Sequence, residues 1–244
     1  MKTALVTGAS RGIGHGIALS LAERGYGLTI TSRTADDLAR VADELLAAGS
    51  PRVISVVADM ADRAALPDLV EAHSAEFLSM TALIVNAGVG TAGNVATFDM
   101  ARFDKTIEVN LTSAMVLIQS AIPLLRRAAE DDRAHGAKII GLSSITAAYA
   151  ESGLAVYGAS KAALLSLLET VNLEESRNGI TATALAPAYV NTDMAAWVTD
   201  RVPAESMIPV SDVVRLVSAL LELSSKTVIT RLVLSRSGTS GYCA

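Results

Sequence analysis

With 244 residues, the chain is long enough for one α/β domain or for two small ones. Its net charge of −5 argues against nucleic acid or an anionic membrane as a partner, and no apolar run approaches the ~18 residues that span a bilayer. A strand begins at Thr3, which leaves no room for a signal peptide, and the single Cys243 permits no internal disulfide. We therefore expect a cytoplasmic protein that binds neither nucleic acid nor a membrane.

Predicted strands and helices alternate along the chain. Strands are predicted at residues 3–7, 28–32, 53–58, 82–86, 138–142, 181–186 and 228–234. Helices are predicted from the glycine-rich stretch 8–14 to Gly25, then at 34–48, 63–78, 101–129, 157–176 and 211–223, with Thr34 and Ser211 as N-caps. The acidic stretch 130–133 is interpreted as a solvated loop and residues 192–209 as an irregular insertion that forms a substrate lid. With no repeat and no break in composition, this order predicts one α/β domain over residues 1–244, with a doubly wound, mostly parallel seven-stranded sheet and helices on both faces.

A glycine-rich loop links the first strand to the first helix. Gly8, Gly12 and Gly14 let the backbone approach a pyrophosphate, whose charge is favoured at a helix N-terminus. Their spacing, Gly-x-x-x-Gly-x-Gly, differs from the Gly-x-Gly-x-x-Gly pattern of the common dinucleotide fingerprint. Taken alone, the loop indicates either a dinucleotide site or only a tight strand-to-helix turn.

A second pattern combines three side chains suited to proton transfer. Tyr157 and Lys161 are four residues apart and so share one face of a helix, and Ser144 follows the fifth strand. The lysine ammonium favours phenolate, which predicts a pKa for Tyr157 below its ordinary value near 10 and suits it to general acid–base catalysis. Such a pair by itself is more often a tyrosine packed under a solvated lysine.

These groups are expected to converge. Ser144 lies at the carboxyl end of the fifth strand, the glycine loop at that of the first, and Asn86-Ala87-Gly88 at that of the fourth. Because the carboxyl ends of parallel strands share one rim of a sheet, all three segments are predicted to face one crevice.

On these residues, the chain resembles the short-chain dehydrogenase/reductase family over essentially its whole length. The motifs that carry the resemblance are Thr7-Gly8-x-x-x-Gly12-x-Gly14, Asp59, Asn86-Ala87-Gly88, Asn110 in Val-Asn-Leu, Ser144, Tyr157-x-x-x-Lys161 and Pro187-x-x-Val190-x-Thr192. The resemblance implies a Rossmann-type fold and an NAD(P)-dependent enzyme that interconverts a ketone and a secondary alcohol. The chain departs from the family pattern at Val85, at Ala188 and in the stretch 234–238.

The resemblance also implies roles for single residues. Tyr157 is implied as the general acid/base, and Ser144 as the residue that orients the carbonyl. Lys161 is implied to lower the Tyr157 pKa and to hold the nicotinamide ribose, and Asn110 to support a water-linked proton relay. Cofactor contacts are implied for Gly8, Ser10, Arg11, Gly12, Ile13, Gly14, Ser32, Arg33, Asp59, Met60, Asn86, Ala87, Gly88, Tyr157, Lys161, Pro187, Val190 and Thr192, with Asp59 facing the adenine and Thr192 the carboxamide.

Two other functions stay open at this point. Nucleotide-sugar epimerases and dehydratases resemble this chain in Tyr-x-x-x-Lys, but they are longer, carry a C-terminal substrate domain and use a different glycine spacing. A non-enzymatic NADP sensor on the same fold would bind the cofactor without turnover and would not need the phenol.

The end of the second strand indicates which cofactor is preferred. A dinucleotide fold that selects NAD places a carboxylate there for the ribose hydroxyls, whereas this chain has Ser32, which does not repel a 2′-phosphate. The resemblance puts Arg33 and Arg11 beside the adenosine ribose, where two guanidinium groups suit a dianionic phosphate. Either arginine alone is equally well read as a solvated loop residue; together they predict a preference for NADP(H), with NAD(H) as an alternative cofactor.

Apolar stretches predict the substrate and the assembly. Residues 89–95, 147–150 and 194–208 are the expected pocket walls, which favours a small carbonyl or alcohol substrate with an apolar portion.

The predicted helices at 101–129 and 157–176 carry more apolar residues than one buried stripe needs, which predicts a homotetramer or a homodimer.

The three histidines do not indicate a metal site. His15, His73 and His135 lack the paired spacing of metal ligands, so they are interpreted as surface or loop residues. No metal is therefore expected.

Overall fold

The computed structural model describes residues 1–242, so Cys243 and its predicted lack of a disulfide lie outside the described residues. The strands are β1 (Thr3–Thr7), β2 (Gly27–Ser32), β3 (Val53–Val57), β4 (Ala82–Val85), β5 (Ala137–Leu142), β6 (Ile180–Pro187) and β7 (Arg231–Leu234). They form one sheet in the order β3-β2-β1-β4-β5-β6-β7, and every neighbouring pair is parallel. This order confirms the predicted doubly wound α/β fold.

Helices cover both faces of the sheet. They are α1 (Gly12–Glu23), α2 (Ala35–Ala47), α3 (Leu66–Glu76), α4 (Met100–Ile107), α5 (Ser113–Asp131), α6 (Ala155–Glu175) and α7 (Val210–Glu222). On one face, α1, α2 and α7 pack around residues such as Ile17 and Val217; on the other, α3, α5 and α6 pack around residues such as Leu117 and Leu168. Because both faces are covered, β1, β2, β4, β5 and β6 are buried along their whole length.

The chain reverses its direction across the sheet after β3. It returns to place β4 beside β1, on the side away from β2. The carboxyl ends of β1 and β4 therefore form the switch point where open α/β sheets bind ligands.

The long helical region predicted for residues 101–129 is confirmed and spans Met100–Asp131, with an interruption that the sequence does not predict. A π-helical segment, Glu108–Thr112, separates α4 from α5. At this segment the Asn110 side chain bonds the backbone of Val89, a contact between distant segments that helical periodicity does not reveal. The loop predicted at 130–133 is wrong in its first half, because α5 continues to Asp131.

The helical segment Met100–Asp131 is long and apolar enough to cross a membrane by length and composition, although it is not an unbroken apolar run. Leu117, Ala121 and Leu125 in this segment are fully buried in the core beneath the sheet. These contacts make it a core helix of the fold.

Two helix starts refine the predicted caps. α7 begins at Val210 with Pro209 as its N-cap, so Ser211 lies inside the first turn and is not the cap. Proline fixes φ near the helical value and needs no N–H partner, which explains the earlier start. Thr34 is the N-cap residue of α2 as predicted, but its hydroxyl donates to the Asp37 carboxylate instead of accepting a backbone N–H.

His73 is not the surface residue that the sequence predicts. It is fully buried on α3, where Nε2 donates to the Ser79 carbonyl at 3.2 Å and the Thr29 hydroxyl lies 2.9 Å from Nδ1. Burial lowers the pKa of His73 to about 4, so the ring is neutral at pH 7. Within residues 1–242, no three His, Cys, Asp or Glu side chains come together as a metal site.

Candidate active site

A cleft of about 680 Å³ opens at the carboxyl ends of β1, β4, β5 and β6. Every residue predicted for the site lines it except Gly14 and Asn110, which lie directly behind its wall. The predicted convergence of the glycine loop, the Asn86-Ala87-Gly88 loop and Ser144 on one crevice therefore matches the geometry.

The glycine loop forms one wall of the cleft. Gly8 and Gly12 have φ values of 65° and 58°, which favour glycine. A Cβ on Gly14 would collide with the Asn86 side chain and with the Gly8 carbonyl. A Cβ on Gly12 would lie 3.3 Å from Cγ2 of Thr192, so the start of the 192–209 segment faces the loop across the cleft.

Thr7 and Asn86 tie the ends of β1 and β4 together. The Thr7 hydroxyl oxygen accepts from the backbone N–H groups of Asn86 and Ala87, each at 2.9 Å. In return, Asn86 Nδ2 donates to the carbonyl oxygens of Thr7 at 2.9 Å and Gly8 at 3.1 Å. These bonds hold the glycine loop in a fixed position relative to the β4 loop.

Asn110 is buried in the π-helical segment. Its Oδ1 accepts from the Val89 N–H at 2.8 Å, and its Nδ2 donates to the Val89 carbonyl at 3.1 Å and to Ser160 Oγ at 3.0 Å. A Cβ on Gly88 would lie 3.2 Å from both Asn110 Oδ1 and Lys161 Nζ. The Asn110 amide and the Lys161 ammonium group therefore both lie beside Gly88, where a side chain would crowd them.

Ser144 follows β5 and begins a short 3₁₀ turn. Its Oγ accepts from the backbone N–H of Thr146 at 3.2 Å and from the Thr146 hydroxyl at 2.9 Å. Ser144 and Thr146 are 7% and 8% exposed, so both hydroxyl groups are largely shielded from water.

Tyr157 and Lys161 lie on one face of α6, as predicted, with Lys161 Nζ 5.9 Å from the centre of the phenol ring. Lys161 Nζ donates to the Leu142 carbonyl at 2.7 Å, and burial lowers its pKa to about 8. Burial raises the pKa of Tyr157, and hydrogen bonding from Ser144 opposes only part of that rise. The raised pKa of Tyr157 is contrary to the lowering that the sequence predicts, and its cause is burial of the phenol.

The end of the cleft beside β2 and β3 contains Ser32, Arg33, Asp59 and Met60. Ser32 Oγ donates to the Thr34 carbonyl at 3.2 Å, Arg33 is exposed, and Asp59 Oδ1 accepts from the Ala61 N–H at 2.9 Å. The side chain of Ser32 thus leaves this end without a carboxylate at the position where NAD-selecting folds place one.

Arg11 has a partner that the sequence does not predict. Its Nη1 lies 2.9 Å from Oδ2 of Asp193, which is in the segment opposite the glycine loop. In this structure the guanidinium therefore spans the cleft towards Asp193.

The other end of the cleft contains only part of the predicted substrate walls. Residues 89–92, Met194 and Trp197 line it, whereas 147–150 do not. Leu154 and Tyr189 also line the cleft, and the Tyr189 hydroxyl donates to Glu151 Oε1 at 2.9 Å.

Farther along the 192–209 segment, residues turn away from the cleft. Val198, Val202 and Met207 pack with Ala195 in a small cluster of their own.

Sequence reasoning missed several polar residues that contact the predicted ones or line the cleft beside them. Thr146, Ser160, Tyr189 and Asp193 each lie within two residues of a predicted position. A hydroxyl or carboxylate so close to a predicted site residue is the signal that could have found them.

Comparisons with known proteins agree with this geometry. The family model described as short chain dehydrogenase matches residues 2–202. Over 199 residues the chain is 33% identical to the 3-oxoacyl-(acyl-carrier-protein) reductase FabG of Staphylococcus aureus, covering 82% of this chain and 78% of the relative. The chain belongs to the short-chain dehydrogenase/reductase family of oxidoreductases.

Solved structures share the fold over nearly the whole chain. One is an alcohol dehydrogenase from the archaeon Thermococcus sibiricus complexed with 5-hydroxy-NADP, with a TM-score of 0.86, 25% identity and coverage of 98% of this chain and 97% of that one. Another is a 3-oxoacyl-(acyl-carrier protein) reductase from Brucella melitensis in complex with NAD, with a TM-score of 0.84, 28% identity and coverage of 96% and 94%.

Proposed function

We propose that the chain is an NADP(H)-dependent oxidoreductase that interconverts a ketone and a secondary alcohol in the cytoplasm. The observation that carries this proposal is that Ser144, Tyr157 and Lys161 line the same cleft as the glycine loop. The relatives named as reductases and as an alcohol dehydrogenase, some of them holding NAD or a form of NADP, support the same reaction class.

The cleft fits a nicotinamide dinucleotide. Positive φ at Gly8 and Gly12, and the close approach of Gly14 to Asn86, leave bare backbone along one wall, where a pyrophosphate meets the N-terminus of α1. In this proposal the glycine loop holds the pyrophosphate, Asp59 and Met60 flank the adenine, and Asn86-Ala87-Gly88 pass beside the ribose. Thr192, with Pro187 and Val190, holds the carboxamide end.

Proton transfer is assigned to this chain's own residues. When bound, the cofactor supplies a hydride to the carbonyl carbon or removes one from the alcohol carbon. During reduction, Tyr157 Oη gives its proton to the carbonyl oxygen, while the Ser144 hydroxyl donates a hydrogen bond to the same oxygen. Because burial raises its pKa, the phenol is protonated at neutral pH and ready to act as the acid.

Lys161 and Asn110 support that transfer. In this proposal Lys161 holds the ribose. Its Nζ is kept in position by a hydrogen bond to the Leu142 carbonyl at 2.7 Å. Asn110, fixed by its bonds to Val89, lies behind Gly88 next to Lys161 and supports a water-linked path that returns the proton.

The reaction is tested by replacing the phenol hydroxyl. A panel of ketones and alcohols is screened with NADPH, NADH and their oxidised forms, following nicotinamide absorbance. Tyr157→Phe should keep cofactor affinity and lose about 10²- to 10⁴-fold in turnover, because only the proton donor is removed. A Tyr157→Phe variant that keeps more than half of the wild-type kcat would contradict the assignment, and cofactor binding with no turnover on the whole panel would favour a sensor.

The preference for NADP(H) rests on charge at the β2 end of the cleft. Ser32 replaces the carboxylate that would repel a 2′-phosphate, and the exposed Arg33 follows it; Arg11 supplies a second guanidinium. We expect kcat/KM to be at least about tenfold higher with NADPH than with NADH, or 1.4 kcal/mol. Arg33→Ala should reduce that ratio and leave NADH kinetics nearly unchanged, whereas equal kinetics with the two cofactors in the wild type would contradict the preference.

The proposed substrate has an apolar portion. Leu154, Met194 and Trp197 give the substrate end of the cleft an apolar lining, and burial of apolar surface contributes about 25 cal/mol per Å². For methyl ketones from butanone to decanone, kcat/KM should rise with chain length. A falling trend would contradict this substrate class.

We also propose a homotetramer or homodimer that uses α5 and α6. Many of the apolar residues of α5 and α6 are in the core, including Leu117, Leu125 and Leu164, so the exposed apolar surface is smaller than the sequence suggests. What remains includes Met115, 45% exposed, with half-buried neighbours on the same helices. Light scattering at micromolar concentration should give a multiple of 25.2 kDa, and a monomer mass would contradict the proposal.

A further inference from the structure

Thr146 makes two hydrogen bonds to one atom of the proposed active site. Its hydroxyl donates to Ser144 Oγ at 2.9 Å, and its backbone N–H donates to the same oxygen at 3.2 Å. Both residues line the cleft and are at least nine-tenths buried, so little water competes for either bond.

These two bonds determine what the serine hydroxyl is still able to do. A hydroxyl group accepts two hydrogen bonds and donates one. Thr146 occupies both acceptor positions of Ser144 Oγ, which leaves the serine hydrogen as the group that can still form a bond. Ser144 and Tyr157 line the same cleft, and hydrogen bonding from Ser144 lowers the pKa of the phenol against the larger effect of burial.

We propose that Thr146 is a positioning residue that holds Ser144 as a hydrogen-bond donor to the reacting oxygen. The inference rests on the proposed function, in which Ser144 bonds the carbonyl oxygen that receives the proton of Tyr157. If the Thr146 hydroxyl were absent, the vacant acceptor position on Ser144 would accept the phenol hydrogen. The phenol of Tyr157 would then donate its hydrogen to Ser144 Oγ and not to the substrate oxygen.

The hydroxyl bond can be separated from the other contacts of Thr146. Thr146→Val replaces the hydroxyl by a methyl group of similar size and keeps the backbone N–H bond to Ser144. Thr146→Ser keeps the hydroxyl and removes the methyl group. A role in packing or in the 3₁₀ turn depends on shape and backbone, whereas the proposed role depends on the hydroxyl.

The test is a double-mutant cycle on Ser144 and Thr146. The readout is kcat and KM with NADPH and the methyl ketone that is reduced best, with thermal unfolding as a check on folding. Thr146→Val should lower kcat about 3- to 10-fold, the range for one hydrogen bond, without changing KM for NADPH. Thr146→Ser should restore kcat to within about twofold of the wild type, and Thr146→Val should have no further effect once Ser144 is replaced by alanine.

Thr170→Val, the same change at an exposed threonine on α6, is the matched control and should leave kcat unchanged. An equal loss from Thr146→Val in both backgrounds would overturn the inference, as would full kcat in Thr146→Val or no recovery in Thr146→Ser. If Thr146→Val does not fold, Thr146→Ala enters the same cycle with the same expected outcomes. Unchanged kcat in Ser144→Ala would overturn the proposed function itself, whereas a loss there with none in Thr146→Val overturns only the role of Thr146.

Discussion

Two buried lysines lie near opposite ends of β5. Lys138, at the amino end, is 3% exposed and donates to the Ser224 carbonyl at 3.3 Å. Lys161, on α6 near the carboxyl end, is 4% exposed and donates to the Leu142 carbonyl at 2.7 Å. Burial lowers the pKa of each to about 8. In burial, bonding and pKa, the two lysines are closely alike.

They differ in what else lies within reach. Lys161 lines the cleft, 5.9 Å from the centre of the Tyr157 ring and next to Asn110 across Gly88, whereas Lys138 does not line it. A lowered pKa therefore reports burial at both ends of the strand. The convergence of further polar groups on a cleft is what distinguishes a functional lysine from a structural one.

The largest expected difference between the two lysines is in turnover. Lys161→Met should lower kcat/KM about 10²-fold or more, because it removes a group assigned to cofactor binding and proton transfer. Lys138→Met, the same change outside the cleft, should leave kcat/KM within about twofold of the wild type. Comparable losses of kcat/KM in both variants would show that a buried ammonium group matters for activity wherever it lies. The cleft would then not distinguish Lys161 from Lys138.

The two lysines should have the same effect on the stability of the protein at alkaline pH. With a folded pKa of about 8 and an unfolded pKa near 10.5, each lysine binds fewer protons in the folded state between these values. The free energy of unfolding therefore rises with pH in that window, by at most about 1.4 kcal/mol per pH unit for each lysine. Urea unfolding across this window should show that the free energy of unfolding rises less steeply with pH in Lys138→Met and in Lys161→Met. A rise as steep as in the wild type would contradict the lowered pKa values of the two lysines.

The same pair shows how far the sequence can predict this molecule. β1 is predicted to the residue, and its apolar centre is typical of a parallel strand covered on both faces. Lys161 is predicted as a site residue because its partner Tyr157 is on the same helix. The burial of Lys138 is not predicted, since its partner Ser224 lies 86 residues away in sequence.

What the sequence does not predict depends on contacts between distant segments. The π-helical segment is accompanied by bonds from Asn110 to Val89, and the burial of His73 depends on a partner on β2. The pKa of Tyr157 illustrates the same limit: helical spacing predicts the neighbouring lysine, but it does not predict the burial that raises the pKa of the phenol.

His73 extends the comparison to a buried base outside the cleft. Its folded pKa is about 4 and its ordinary value 6.5, so the unfolded chain binds more protons between these values. The stability that neutral His73 contributes is complete above pH 6.5 and is lost as pH falls towards 4, by at most about 1.4 kcal/mol per pH unit. His73→Gln should make the free energy of unfolding less dependent on pH between 4 and 6.5 and leave kcat at pH 7 unchanged. The same pH dependence in the variant and the wild type would contradict a buried, neutral His73.

The smallest effect is expected for a charge that lies in the cleft but is exposed. The side chains of Arg11 and Asp193 are 68% and 72% exposed, and such a pair contributes less than about 1 kcal/mol. We expect Asp193 to compete with the 2′-phosphate of NADPH for Arg11, so that Asp193→Asn strengthens NADPH binding by at most about fivefold and leaves NADH binding unchanged. Trp197, the single tryptophan, lines the cleft and gives a fluorescence signal for both dissociation constants. Asp200→Asn removes the same charge from an exposed position in the same segment; an equal gain there would assign the effect to net charge and not to the pair.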